Sequence, residues 1–453
     1  MTRKHPSTGV LAAAFALSLG ATSCTGVLEG EVPGNNAVGP GNTAGAGAGG
    51  GSGMVTTATT PSYKAIHRLN RNEYNATVAD VLGTTIEPGN GNWFDGQVSG
   101  FDNIAEVQTV DTDQYQRYYD AAGTLADDAF ANANFKTKYV TCATPDDACV
   151  GSFVDAIGLR VFRRPLLPNE QATYKKVYAA AAGQNENHEG SLKQVLRALL
   201  ASSQFLFRME FDTNPNSAEK HPLSPYELAT RLSYFLWSSA PDEALLTSAA
   251  DKSILQESTI TTAVDRLLAD PARATRFVRN FYGQWLGARR VGQHAVAPDV
   301  YKTWTPELAD GLAEEMYAYF ADFLKKDRSY LQFLTEDVNF VNAPLAQLYG
   351  IQAPAGQGVQ EVRVTTDKRK GFLGLGGFLA QSSLDRRTSP TLRGRWIMTQ
   401  LLCQHPPAPP SKRSTSSWTS SRKSRASSSA SRTTCTPTGL AASSATTIAP
   451  RSI

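Results

Sequence analysis

Apolar residues recur at helical spacing through most of residues 64–405. In "YKAIHRLNRNEYNATVADVLG", Tyr74, Val78 and Val81/Leu82 lie three and four apart, the period that lines one face of a helix. Asn70 and Glu73 have the spacing of an N-cap and its reciprocal partner, with Leu69 as the apolar residue just before. In "LSPYELATRLSYFLWSSAPDEALL", Ser224 reads as a cap, Pro225 as the first turn and Glu227 as the residue three after the cap; Leu228, Leu232, Phe235 and Leu236 form the apolar stripe. "TPELADGLAEEMYAYFADFLKKD" repeats this logic, with Thr305 before Pro306 and Leu308, Leu312, Met316, Phe320 and Phe323 on one face. "SLKQVLRALLASSQFLFRMEF" and "VDRLLADPARATRFVRNFYGQWLG" carry helical periods too. Strand-like alternation is scarce, with "QEVRVTT" near 360 the best case, so the expected fold is mainly α: a multi-helix body with at most a small β element.

The ends lack this pattern. Residues 1–24 hold a short basic segment, an apolar run too short to cross a bilayer, and small residues before Cys24, which reads as an export signal. Ala21-Thr22-Ser23-Cys24 is a partial lipobox, so Cys24 is the expected lipid anchor, and a cleaved soluble product is the alternative. The expected location is the cell envelope, as an outer-membrane lipoprotein or in the periplasm. Residues 25–62 form a Gly-rich, disordered linker. Folded segments are expected at 63–141, 142–215, 220–352 and, incomplete, 360–410, before a low-complexity Ser/Arg tail at 411–453. That tail holds seven Lys/Arg and no acidic residue, leaving 37 basic against 41 acidic residues in the rest. The net charge of +3 therefore belongs to the tail, and no nucleic-acid partner is expected.

Cys142 and Cys149 flank the polar "CATPDDAC"; in an oxidising compartment they are expected to form a disulfide, two separate thiols being the alternative. "DGQVSGFDNIAE" places Asp95, Asn103 and Glu106 on a calcium-loop template, but Asp102 stands where an apolar residue belongs, and a plain loop is the preferred reading. Arg163 and Arg164 present forked donors that suit an anion or, more simply, helix-end carbonyls. His67, next to Arg68, is the most suggestive histidine, although no catalytic partner stands at a telling spacing. His188, His221 and His294 have loop-like contexts. The aromatic run Tyr234, Phe235, Trp237, Phe277, Phe281, Tyr282 and Trp285 is read as bundle core, with a sugar-stacking platform as the sharper alternative. The glycine-rich "GFLGLGGFLA" follows no predicted strand, so a phosphate cradle is not expected. No catalytic set can be named, and no metal site is expected.

Four phrases together resemble an exported bacterial family known only as consecutive domains of unknown function, the central one being domain of unknown function 1592. They are "HRLNRNEYNATVADVLG" with "GFDN" at 100–103, "FVDAIGLRVFRRPL", "LSPYELATRLSYFLWSSAPDEALL" with "FVNAPLAQLYG", and "GFLGLGGFLAQSSLDRRTSPTLRGRWIMTQLLC". They occur in the family's order. The resemblance implies association with c-type cytochrome segments, hence an extracytoplasmic redox or electron-transfer role with a redox partner. It also implies a continuation to C-x-x-C-H, the motif that binds haem covalently. This chain has no such motif, and Cys403 and Cys435 each stand alone. No cofactor is therefore expected here, and haem c only if an intact C-terminus is restored; Arg386, Arg387, Arg393 and Arg395 are then candidates to face its propionates. In a shifted frame the tail can spell H…C-x-x-C-H through the codons of Ala441/Ala442 and Ser444/Ala445/Thr446, so a frameshift after about Pro410 is the preferred reading, against a native Ser/Arg tail. Two other functions stay open: binding or degradation of an extracellular polymer, and an envelope scaffold.

Overall fold

The computed structural model describes residues 66–406, except 92, 143, 212–221, 294 and 365–368. Cys24, His221, His294, Cys435, the linker and the Ser/Arg tail lie outside the described residues.

Two residues of extended chain, β1 (His67–Arg68), lead into α1 (Arg71–Leu82), whose N-terminus carries the capping box read from Asn70 and Glu73 and whose end turns on left-handed Gly83. A loop with two 3-10 turns leads to α2 (Thr112–Ala131) and α3 (Ala133–Tyr139). Next come α4 (Asp147–Phe162), α5 (Pro168–Gly183), α6 (His188–Leu200) and the short α7 (Ser203–Leu206). The chain returns through β2 (Phe207–Arg208), which pairs antiparallel with β1 and places His67 opposite Arg208. His188 thus opens a helix, where the sequence suggested a loop.

The second half starts at α8 (Pro225–Trp237), capped by Ser224 and Glu227 as expected. It continues through α9 (Glu243–Ala250), α10 (Glu257–Ala269) and α11 (Pro271–Phe277), then a π-helical turn at Val278–Tyr282, then α12 (Gly283–Trp285). The long α13 (Pro306–Lys325) precedes β3 (Val338–Val341), α14 (Ala343–Tyr349) and β4 (Gln360–Arg363). β3 and β4 pair antiparallel, which places the expected strand near 360. α15 (Gly376–Gln381) and α16 (Pro390–Trp396) follow, and a π-helical turn at Ile397–Leu401 continues from α16. The fold is mainly helical, with two small two-stranded sheets.

Three buried apolar clusters hold these elements. The first joins Leu69, Tyr74 and Val78 to Phe130, Phe153, Leu196 and Phe205, and takes in Tyr234 from α8. A second forms between α8, α9, α10 and α11 around Trp237, Leu245 and Leu267. The third surrounds α13, with Tyr282, Leu312, Met316, Phe372, Phe378 and Trp396. Among the described residues no helix is long and apolar enough to cross a membrane.

Candidate functional site

α8 separates two environments. Tyr234 and Trp237 are buried, and Trp237 donates from Nε1 to the Leu267 carbonyl at 2.8 Å. Phe235 is 58% exposed. Leu228, Leu232 and Phe235 line a cleft of about 1050 Å³, so most of the stripe expected to seal the core also walls a cavity, while Leu228 and Leu232 still pack against the second core cluster. The π-helical turn has a matching effect after α11: Asn280, Phe281 and Gln284 line the same cleft while Tyr282 is fully buried. A π turn adds a residue to the helical repeat and rotates the faces that follow it. Phe281 is 38% exposed and stacks on Phe277 at 5.3 Å, and Phe277 in turn meets Phe235 edge-on at 5.2 Å. The aromatic run is thus divided: the tryptophans pack inward, Trp285 donating to the Gln400 carbonyl, whereas Phe235 and Phe281 face a concave surface.

The cleft also carries charge. His67 Nε2 lies 3.2 Å from Glu73 Oε2, and Arg208 Nη2 lies 3.4 Å from Glu73 Oε1. The same carboxylate accepts the Asn70 N–H at 3.1 Å. Burial alone would raise the Glu73 carboxyl, but Arg208, His67 and the Asn70 N–H outweigh it and hold the group down at about 2. A histidine–carboxylate pair is one half of a general-base device. Here, however, the carboxylate is shared with Arg208 and a helix cap, and among the described residues no hydroxyl or thiol is hydrogen-bonded to His67. Arg231 and Glu210 add a further ion pair at 2.6 Å on the cleft wall. These ion pairs hold charge in fixed places.

Polar bonds tie the walls together. Asn70 Nδ2 donates to Asp102 Oδ1 at 3.0 Å, Arg289 Nη1 donates to Asp102 Oδ2 at 2.7 Å, and Gln284 Oε1 accepts the Asp102 N–H at 2.7 Å. Asp95 pairs with Arg68 at 2.9 Å and with Arg71 at 3.3 Å. Both aspartates of the calcium-like phrase are therefore committed to arginines, which favours the plain-loop reading; Asn103 and Glu106 line the cleft instead.

Of the residues singled out from sequence, His67 lies in the cleft and Arg163 stands behind it. Arg163 is buried and donates to the carbonyls of Gln204 at 2.6 Å, Phe205 at 3.1 Å and Phe207 at 2.7 Å. Its fork thus holds main chain, and through β2 it positions Arg208. Arg164 makes a two-pronged pair with Glu170 at 2.8 and 2.9 Å. Arg387 is exposed and Arg393 donates to Ser382 Oγ at 3.2 Å; neither lines the cleft. Cys142 and Cys149 form the expected disulfide. Arg208, Arg231, Asn280 and Gln284 escaped the sequence reading because they converge from distant segments. Among the described residues no group of three or more His, Cys, Asp or Glu is placed to hold a metal ion.

Four family models match the chain in series, each described as a protein of unknown function: DUF1587 over residues 67–131, DUF1595 over 149–210, DUF1592 over 223–351 and DUF1588, with the short name PSCyt3, over 369–438. No curated protein and no solved structure matches. The cleft draws residues from the first three segments. The fourth match extends past Pro410 into the Ser/Arg tail.

Proposed function

We propose, for a chain that belongs to the family built from this series of four domains with DUF1592 at its centre, that the helical body is a binding protein for an extracellular polysaccharide. The chain would be exported and held to the membrane through lipid on Cys24, with the 25–62 linker letting the body reach outward. The observation that carries this reading is the pair of exposed rings, Phe235 and Phe281, side by side on a concave wall. Sugar rings present apolar C–H faces that stack on aromatic rings, while their hydroxyls need amides and charges close by. Asn280, Gln284, Asn103 and Glu106 supply such groups on the same cleft. A cleft of this kind also weighs against a plain envelope scaffold, which needs no polar cavity. The electron-transfer role implied by the resemblance attaches to the segment after residue 406, and the cleft does not bear on it.

Affinity electrophoresis through gels containing soluble polysaccharides, with co-sedimentation on insoluble ones, tests the reading. Retention by at least one polymer is expected. The double variant F235A/F281A is expected to bind about 10- to 100-fold more weakly, since each ring contributes roughly 1 kcal/mol or more. No retention by any polysaccharide, or equal retention of the double variant, overturns it.

A further inference from the structure

A second cluster lies away from the cleft, where α4 begins. Cys149 is buried and its disulfide partner Cys142 is half-exposed. His188, first residue of α6, brings Nε2 to 3.8 Å from Cys149 Sγ, and its Nδ1 lies 2.7 Å from the Tyr178 hydroxyl. The protonation pattern follows from the partners. A disulfide sulfur carries no proton, so the bond to Cys149 requires the hydrogen on Nε2; in the neutral ring Nδ1 is then the acceptor, and Tyr178 donates to it. The α4 terminus does not supply the donor, because the Cys149 N–H is already taken by Asp146 Oδ1 at 2.8 Å.

We propose that Cys142–Cys149 is a thiol–disulfide exchange site, with His188 as the donor that stabilises Cys149 as the leaving thiolate and Tyr178 as the residue that positions His188. The co-reactant is a dithiol. One of its thiolates attacks Sγ of half-exposed Cys142, the S–S bond breaks, and Cys149 leaves with the electron pair as a thiolate that accepts a hydrogen bond from His188 Nε2–H and then takes up the proton released by the attacking thiol. The second thiol of the dithiol then attacks its own sulfur in the mixed disulfide, releasing Cys142 and closing a disulfide in the donor. Two electrons and two protons pass from the dithiol to the cysteine pair. Exchange rates rise as the leaving thiolate is stabilised, so this arrangement favours attack at Cys142 over attack at Cys149. The inference does not depend on the polysaccharide reading.

The test uses the full chain with dithiothreitol, following reduction by alkylation and mass spectrometry, and with reduced glutathione, mapping the mixed disulfide. Reduction is expected while the far-ultraviolet circular dichroism stays native, with the glutathione adduct on Cys142. H188A is expected to slow reduction about tenfold, H188Q to recover most of the rate through its side-chain N–H, and Y178F to slow it about two- to threefold. Should H188A fail to fold, H188Q and Y178F still decide the matter. Reduction only in denaturant, an adduct on Cys149, or wild-type rates in the folded His188 and Tyr178 variants would overturn the proposal.

Discussion

Glu73 is buried at the back of the cleft and yet ionised, because His67, Arg208 and the Asn70 N–H together outweigh the cost of burial. Its carboxyl is depressed from 4.5 to about 2. A depressed folded-state value means stability that is present above the unfolded value and lost as the pH falls from about 4.5 towards 2, worth ~3 kcal/mol when fully expressed. Glu73→Gln keeps an oxygen for the Asn70 N–H and removes the charge. Urea unfolding at pH 7 is therefore expected to place the variant about 3 kcal/mol below wild type, with that gap at least halved at pH 3. An equal gap at both pH values would show that the loss is steric rather than electrostatic. The Asn70–Glu73 box was legible in the sequence because a cap and its partner are local. The second role of Glu73 was not, since Arg208 reaches it only through the pairing of two-residue strands.

Helices were read correctly more often than their faces. The period of α8 locates Leu228, Leu232 and Phe235 on one stripe, but a stripe says nothing of what it meets, and a cleft wall has the same pattern as a core wall. The π turn at Val278–Tyr282 is less visible still, because one extra residue in the repeat leaves no compositional mark. The phrase "GFLGLGGFLA" has a packing explanation. α15 lies so close to α13 that a Cβ on Gly377 would run into the Leu312 carbonyl oxygen and stand 2.7 Å from Met316 Sδ, and the Gly377 N–H donates to buried Glu315 at 3.1 Å. Two effects compete in Gly377→Ala. Helix propensity favours alanine by about 1 kcal/mol, whereas overpacking costs about 1–3 kcal/mol and here meets backbone that cannot swing aside. The packing term is expected to win, lowering the urea midpoint with a net cost of up to about 2 kcal/mol. A raised midpoint would mean that α15 can slide on α13, and the close-packing account would fail.

At the scale of the molecule, neighbouring matched segments share a core. Tyr74 meets Phe205 at 5.5 Å and Phe130 meets Phe153 at 6.1 Å, joining the DUF1587 segment to the DUF1595 segment in one apolar cluster. Thr77 Oγ1 and the Tyr234 hydroxyl, 2.9 Å apart, carry that cluster to α8 of the DUF1592 segment. A chain of roughly 60 residues buries only about 60% of the surface its unfolded form exposes and is marginal even with a core of its own. Within the 67–131 segment Tyr74, Trp93 and Tyr118 meet one another, but Tyr74 and Phe130 complete their packing on residues the segment does not contain. Expressed alone, residues 67–131 are expected to remain unfolded, with a coil-like circular dichroism spectrum and no cooperative melt, whereas residues 66–240 are expected to be helical and to melt in one transition. Separate folding of 67–131 would show that the shared cluster is a docking surface between finished domains. The cleft would then be an interface free to open, and variants of its Asp102–Arg289 tie would change ligand affinity without changing the stability of either half.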